Sequence, residues 1–363
     1  MQLRKYIKFI VLTLIAAAFL WYFGRGLNWE EVTDSLKRAN PSLLALATLI
    51  ICFGYVLRAL RWRTLLEPLS KSNLAILFET TTVGYAAVFL FGRAGEVVRP
   101  LWLPVRDPRV RPTAALVTIG VEGLCDLAAI VVVFAINLIW FRVPAGRETE
   151  FAFVNRAGLL LLFGTVLGIV SLAVFQRNSP RVIGWIDRTF LHRSFVPERV
   201  SHQIKKILTS LAVSLSILFN IREFLLTLLW TGLLWFAISI PTWLVILAVG
   251  LPMDFSDALF VMGWAVVGSL APTPGGAAGA FHTATAAALI FLGINAEIAA
   301  ATAIIMHFVY FAPALFFGIY YFLRGKVSLQ GIRLMIIGDS TPNESNEKSP
   351  REAPPFGQKA IDS

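Results

Sequence analysis

Runs of apolar residues long enough to cross a bilayer alternate with short polar segments along most of the chain. Because a membrane-spanning helix needs about 20 mostly apolar residues, runs close to that length predict full spans. Six such spans are expected, over residues 7–23, 43–60, 113–141, 157–175, 223–249 and 296–323. The pattern therefore predicts an all-α polytopic membrane protein, and the first run is interpreted as an uncleaved anchor.

Two further apolar stretches are interrupted by glycine and proline. Residues 74–91 lead into Gly-Arg-Ala-Gly-Glu at 92–96. Residues 258–270 lead into a Pro- and Gly-rich segment over 271–279, and a second short apolar piece follows at 280–292. Glycine and proline at these places are expected to break each stretch into a hairpin with a non-helical tip.

The remaining segments are predicted to lie outside the bilayer core. Residues 28–39 and 197–219 have apolar positions at helical spacing opposite charged ones, which is typical of helices on a membrane surface. From residue 339 onward Ser, Pro, Asn, Glu and Lys dominate, which predicts disorder. The expected organisation is a transmembrane domain over residues 1–325 and a cytoplasmic tail over 326–363.

The Lys and Arg residues decide which apolar stretches cross, because cytoplasmic loops carry an excess of them. If every stretch crossed, the basic segments 93–111 and 177–222 would fall outside. If residues 74–111 and 258–292 instead each enter and leave on one side, only six of the 32 Lys and Arg residues lie outside. We therefore predict about six full spans plus two re-entrant hairpins, roughly eight membrane segments, with both termini cytoplasmic.

The two broken hairpins are expected to dip from opposite sides, so the chain is predicted to consist of two pseudo-inverted halves. Non-helical backbone at membrane depth occurs only inside protein or beside a water-filled cavity. Paired Gly/Pro-broken segments in corresponding places of two halves are typical of transporters and indicate the substrate site. The site is accordingly predicted where the two glycine-rich tips approach each other.

Composition and charge exclude several other classes. The chain is 57% hydrophobic and only 15% charged, and its two cysteines lie in apolar stretches, which argues against a secreted enzyme, a disulfide scaffold or a zinc ribbon. The net charge of +10 is distributed between apolar runs, so it indicates membrane orientation rather than nucleic-acid binding. No motif spacing requires a metal ion, a cofactor or a catalytic residue.

Three ordered motifs resemble one membrane family. Residues 89–100 (Phe-Leu-Phe-Gly-Arg-Ala-Gly-Glu-Val-Val-Arg-Pro) resemble the Pro-Gly-Arg-x-Gly-Glu-x-x-Arg signature of a flippase-like domain, the transmembrane region of lysylphosphatidylglycerol synthases. Residues 121–126 are similar to the family's Glu-Arg-x-x-Asp, and residues 272–281 to its Pro-Gly-Gly-x-Gly loop. The resemblance covers about residues 1–324. The chain departs from the family pattern at three positions: Phe91 for proline, Gly123 for arginine and His282 for an acid.

This resemblance implies a stand-alone protein of a bacterial inner membrane that moves, or helps to move, a lipid between leaflets. No aminoacyl-transferase domain follows Leu323, so lipid aminoacylation is not expected. The expected partners are membrane lipids with anionic head groups, and a homo-oligomer or an envelope-pathway partner stays open. A non-transporting accessory subunit of a lipid or glycan pathway is the main alternative, and a lipid-modifying enzyme is a lesser one.

The candidate substrate-binding residues come from the three motifs: Gly92, Arg93, Gly95, Glu96, Arg99, Glu122, Asp126, Pro274, Gly275, Gly276, Gly279 and His282. Arg93, Glu96 and Arg99 are spaced to share one helical face, and their net charge of one positive unit suits a phosphate. The alternative is a structural Glu96–Arg99 pair at the cytoplasmic rim.

The other candidates also have two interpretations. Glu122 and Asp126 lie one helical turn apart, so they form either a proton-carrying pair or buried counter-charges for Arg58, Arg93 or Arg99. The glycines of the second tip either permit close helix packing or precede a helix starting near Ala277 whose N-terminus favours an anion. His282 either titrates near neutral pH or is a packed, hydrogen-bonded side chain.

The predicted topology can be tested with single cysteines in a background lacking Cys52 and Cys125. On intact spheroplasts, a membrane-impermeant maleimide is expected to label cysteines at Arg147 and Asp254 but not at Arg106 or Arg188. Labelling at Arg106 or Arg188 with Arg147 protected would contradict the re-entrant arrangement.

Overall fold

The computed structural model describes residues 2–67, 70–191, 198–215 and 220–324, so the tail predicted over 326–363 lies outside the described residues. Regular structure in these ranges is helical. The helices are α1 (Gln2–Gly24), α2 (Trp29–Arg38), α3 (Pro41–Leu66), α4 (Leu74–Phe91), α5 (Val98–Arg106), α6 (Pro112–Trp140), α7 (Glu148–Arg177), α8 (Ser179–Ile186), α9 (Glu198–Leu215), α10 (Ile221–Ala248), α11 (Phe255–Ser269), the short α12 (Pro274–Ala277), α13 (Ala280–Phe291) and α14 (Ala296–Arg324).

Six of the described helices are long and apolar enough to cross a membrane: α3, α4, α6, α7, α10 and α14. Five of them coincide with predicted spans, which confirms the all-α polytopic fold class. The sixth, α4, is the first arm of the re-entrant hairpin that was predicted to enter the membrane from the cytoplasmic side. The predicted first span lies in α1, whose apolar described part, Thr13–Gly24, is shorter than the six. The placement of both hairpins in a bilayer stays a prediction.

Five of the described helices begin at an asparagine whose side chain accepts a backbone N–H of the first turn. These caps are Asn28 before α2, Asn40 before α3, Asn73 before α4, Asn220 before α10 and Asn295 before α14. Such a cap satisfies one of the N–H groups that have no partner inside the helix, so it defines where the helix starts. In α2 the only apolar side chain that is fully buried is Val32, which packs against Ala300 and Ala301 of α14.

The first broken segment folds back on itself. The chain leaves α4 at Gly92, which has a φ of 62°, and continues as a 3-10 turn over Gly92–Val97 before α5 returns along α4. A Cβ atom at Gly95 would overlap the backbone of Ala87, so only glycine permits this approach. At the open end of the hairpin, Arg106 donates to Glu79 at 2.8 Å.

The two ends of this hairpin are also joined directly. The hydroxyl of Ser72, just before α4, donates to Asp107 at 2.9 Å, just after α5. Arg109 donates to the same carboxylate at 2.8 Å, and these bonds lower the pKa of Asp107 to about 2. The chain therefore enters and leaves the hairpin at the same end of the molecule.

The second broken segment is also a hairpin, in which α11 and α13 pack against each other. Between them, Gly275, Gly276 and Ala277 of α12 all have φ values between 59° and 75°, so α12 is a left-handed turn and not a right-handed helix. Left-handed residues cannot continue a right-handed helix. The returning helix therefore begins at Ala280, and the predicted start near Ala277 is wrong by three residues.

The two hairpin tips contact each other. A Cβ atom at Gly92 would lie 2.9 Å from the carbonyl oxygen of Thr273, so the first tip fits against the second only without a side chain there. Arg93 Nε also donates to the carbonyl of Leu270 at 3.1 Å. These contacts bring together the two sequence motifs, which are almost 180 residues apart in the chain.

The close packing of the second hairpin predicts a clear difference between two glycines. A Cβ atom at Gly268 of α11 would lie 2.7 to 2.9 Å from atoms of α13, including backbone, whereas one at Gly232 of α10 would meet nothing within 4 Å. We expect Gly268→Ala to cost about 1–3 kcal/mol and to lower the melting temperature in detergent. Gly232→Ala, the matched control, is expected to leave it unchanged or raise it. Equal melting temperatures for the two variants would contradict the packing described.

Candidate functional site

A cavity of about 500 Å³ lies where the two hairpin tips meet. Its wall is mostly apolar and is formed by α3, α4, α5, α6, α10, α11, α13 and α14 together with both tips. Six charged side chains also belong to the wall: Arg58, Arg93, Glu96, Arg99, Glu122 and Asp126. The cavity therefore combines an apolar interior with a concentration of charge that is unusual for a membrane-embedded surface.

The two carboxylates of α6 are held by arginines from two other helices. Glu122 is only 2% exposed, and its carboxylate accepts hydrogen bonds from both terminal nitrogens of Arg99 at 3.0 and 3.2 Å. Arg61 lies 3.1 Å from the same carboxylate and donates two hydrogen bonds, of 2.6 and 2.8 Å, to the carboxylate of Asp126. Bidentate pairs of this kind are the strongest ionic contacts that side chains make. The geometry matches the predicted role of buried counter-charges rather than that of a free proton-carrying pair.

Arg99 reaches Glu122 by passing across α4. Its side chain occupies the space that a Cβ atom at Gly84 would need, so glycine at that position creates the passage. The guanidinium also stacks on the ring of Trp62 at 4.4 Å. Arg99 is thus buried on three sides and is neutralised inside the protein.

Arg93 and Glu96 form a separate pair at the edge of the cavity. Their side chains are 3.0 Å apart and 43% and 51% exposed. Arg93, Glu96 and Arg99 do not share one helical face, because residues 92–97 form a 3-10 turn and Arg99 belongs to the next helix. The alternative prediction of a Glu96–Arg99 pair is also wrong, because Arg99 forms its ion pair with Glu122.

The residues of the second tip have mixed roles. Gly276 lines the cavity, and a Cβ atom there would lie 3.0 Å from the rings of Phe89 and Phe311. The carbonyls of Gly275 and Gly276 lie 3.0 and 3.3 Å from Nε2 of His307, which therefore carries the hydrogen and donates to them. A histidine of α14 thus fixes the tip.

The start of α13 packs against α1 at Gly279, while Phe281 in its first turn lines the cavity. A Cβ atom at Gly279 would meet the backbone of Leu20. The backbone N–H of Gly279 donates to Nδ1 of His282 at 3.1 Å. His282 packs beside His307, with ring centroids 4.6 Å apart, and beside Phe23. The packed, hydrogen-bonded interpretation of His282 therefore fits the geometry, whereas an anion at the start of α13 stays a prediction.

Seven of the twelve candidate residues line the cavity, and five do not. The lining residues are Gly92, Arg93, Glu96, Arg99, Glu122, Asp126 and Gly276. The others are Gly95, Pro274, Gly275, Gly279 and His282, of which Gly95 and Gly279 serve close packing. Within the described ranges no group of three His, Cys, Asp or Glu side chains is placed to hold a metal ion.

Sequence reasoning missed Arg61 as the partner of both carboxylates and Tyr85 as a neighbour of the charges. The span was predicted to end at residue 60, so Arg61 was placed beyond it, and only Arg58, Arg93 and Arg99 were considered as partners of the two carboxylates. Instead α3 continues to Leu66, and Arg61 is fully buried. The spacing of Glu122 and Asp126 was the available signal, because two buried carboxylates need two cations.

The fold and the cavity define a class of protein: a polytopic membrane protein in which two broken helical hairpins enclose a charged, otherwise apolar cavity. Residues 9–318 match the family described as the lysylphosphatidylglycerol synthase TM region, and the chain belongs to that family. It is also similar to the UPF0104 membrane protein PH1989 of Pyrococcus horikoshii. The two are 22% identical over 326 residues, which cover 84% of this chain and 91% of the relative.

The buried and exposed carboxylates are expected to differ sharply on neutralisation. Glu122→Gln leaves Arg61 and Arg99 short of a counter-charge, and removing one partner of a buried pair costs about 3–5 kcal/mol. Glu96→Gln, the same chemical change in a half-exposed pair, should cost about 0–1 kcal/mol. Melting temperatures of the purified variants in detergent measure the difference. A Glu122→Gln variant as stable as Glu96→Gln would show that the network does not hold α6 in place.

Proposed function

We propose that this protein is a lipid translocator of a bacterial inner membrane, not an enzyme, and that it moves an anionic phospholipid or lipid-linked intermediate between leaflets. The single observation that carries the proposal is the cavity at the junction of the two hairpin tips. An apolar wall suits acyl chains, and clustered guanidinium groups suit an acidic head group. Both kinds of surface in one cavity are what an amphiphilic substrate requires.

The cavity wall includes residues that also face outward. Gly123 and Leu127 of α6 and Leu270 of the second tip line the cavity and are exposed. They support a lateral opening between α6 and the tips, through which a head group enters while the acyl chains stay in the bilayer. The glycine at position 123, where the resembling family commonly has arginine, leaves this opening free of a side chain.

Two glycines on α6 allow a matched test of the opening. A Cβ atom at Gly123 or Gly120 would meet nothing within 4 Å, but only Gly123 lines the cavity. Gly123→Trp is therefore expected to block the opening without disturbing the fold, whereas Gly120→Trp adds the same bulk elsewhere on the helix.

The measurement is lipid scrambling in liposomes of defined composition, with the purified protein and a fluorescent phosphatidylglycerol that a membrane-impermeant reductant bleaches in the outer leaflet. The parent protein and Gly120→Trp are expected to scramble the lipid, and Gly123→Trp to be much slower. No scrambling by the parent protein would contradict translocation and favour an accessory subunit. Equal rates for the two tryptophan variants would contradict the lateral opening.

A further inference from the structure

We infer that Arg58 is the anion-binding residue of this cavity and that it takes the phosphate of a lipid head group. The inference rests on the proposed function and makes it more specific. It also replaces Arg93 and Arg99, the residues that the sequence motifs favoured. The argument depends on which charges of the cavity are already neutralised by the protein.

Every other charged group of the cavity wall has an opposite charge in contact with it. Arg99 is paired with Glu122, and Asp126 with Arg61. Arg93 is paired with Glu96 at the edge. These pairs contribute equal numbers of positive and negative charges, so their sum is zero.

Arg58 is different. Among the residues that the structure describes, no carboxylate forms an ion pair with it. Its one hydrogen bond runs from Nη1 to the hydroxyl of Tyr85 at 2.6 Å, and its guanidinium lies 4.6 Å from the centre of that ring. A guanidinium has five N–H donors, so most of those on Arg58 have no acceptor among these residues. When Arg61, which lies behind the wall and pairs with Asp126, is counted with the six charged side chains of the wall, the charges around the cavity sum to one positive charge.

The position of Arg58 suits a ligand from the cavity. Ile51, Gly54, Tyr55 and Arg58 recur at the spacing of one helical face, and all four line the cavity. Tyr85 of α4 holds the guanidinium of Arg58 in place, and the Cζ atom of Arg99 is also near its ring, 5.4 Å from the ring centre. An uncompensated charge at membrane depth is costly, so an incoming anion gains from pairing with it.

The same arrangement favours an acidic lipid over a zwitterionic one. Both carry a phosphate, but phosphatidylcholine adds a cation. The three carboxylates of the wall that could receive that cation, Glu96, Glu122 and Asp126, are already engaged by arginines. A lipid with a single negative charge neutralises the cavity, whereas a zwitterion leaves its excess charge unchanged.

The test is direct binding to the full-length protein in a neutral detergent, measured by native mass spectrometry. The probes are dioctanoyl phosphatidylglycerol, dioctanoyl phosphatidylcholine and inorganic phosphate. The parent protein is expected to bind phosphatidylglycerol about tenfold more tightly than phosphatidylcholine, and Arg58→Gln to remove that preference, since a charged hydrogen bond is worth about tenfold or more in affinity. Arg58→Lys should retain part of it, because lysine keeps the charge but lacks the planar fork.

The matched control is Arg38→Gln, which removes one positive charge from a side chain that is 84% exposed on α2, away from the cavity. It is expected to bind both lipids like the parent. Tyr85→Phe, which removes only the hydrogen bond to Arg58, should weaken the preference and serves if Arg58→Gln does not fold. The assignment is overturned if Arg58→Gln keeps the parent's preference for phosphatidylglycerol, or if Arg58→Lys and Tyr85→Phe both keep it unchanged. It is also overturned if Arg38→Gln loses the preference to the same extent as Arg58→Gln.

Two further outcomes separate this inference from the proposed function. If inorganic phosphate binds the parent as tightly as phosphatidylglycerol and depends equally on Arg58, the site takes a free anion and the lipid assignment is wrong. If phosphatidylglycerol binds through Arg58 but the reconstituted protein does not scramble it, the binding site stands and translocation is wrong.

Discussion

The buried ion network of Arg61, Arg99, Glu122 and Asp126 is the interaction on which the rest of the structure depends. It joins α3, α5 and α6, and each carboxylate is held by at least one bidentate arginine. A lone charge in a bilayer is costly, so these helices are stable beside one another only when the charges meet. The first hairpin is consequently fixed against α6, and its tip is placed against the second hairpin.

Glycine provides the space that this arrangement needs. Gly84 lets Arg99 pass across α4, Gly95 lets the 3-10 turn lie on α4, and Gly92 lets the first tip meet the carbonyl of Thr273. At Gly92 and Gly95 the missing side chain permits close backbone contact, and at Gly84 it leaves room for the side chain of Arg99. Polar contacts then fix the tips, from Arg93 on one side and His307 on the other.

The sequence was sufficient for the fold class and for the region in which the cavity lies, but not for the pairing of the charges around it. The lengths of the apolar runs predicted five of the six long described helices, and the Gly/Pro-broken segments predicted which parts approach the cavity. Spacing alone placed Arg93, Glu96 and Arg99 on one face, because it assumed a continuous α-helix where a 3-10 turn intervenes. It also placed Arg61 at the surface, since the end of an apolar run does not determine where a helix ends.

The order of these charges along the chain has a consequence for biogenesis. Arg61 and Arg99 precede Glu122 and Asp126, so a ribosome makes both cations before either anion. Isolated in lipid, α6 would bear two ionisable carboxylates. Because their partners have already been synthesised, α6 joins a preceding assembly that can neutralise it on arrival. The order of these residues in the sequence therefore lets the ion network form during insertion, before the second half of the chain has been synthesised.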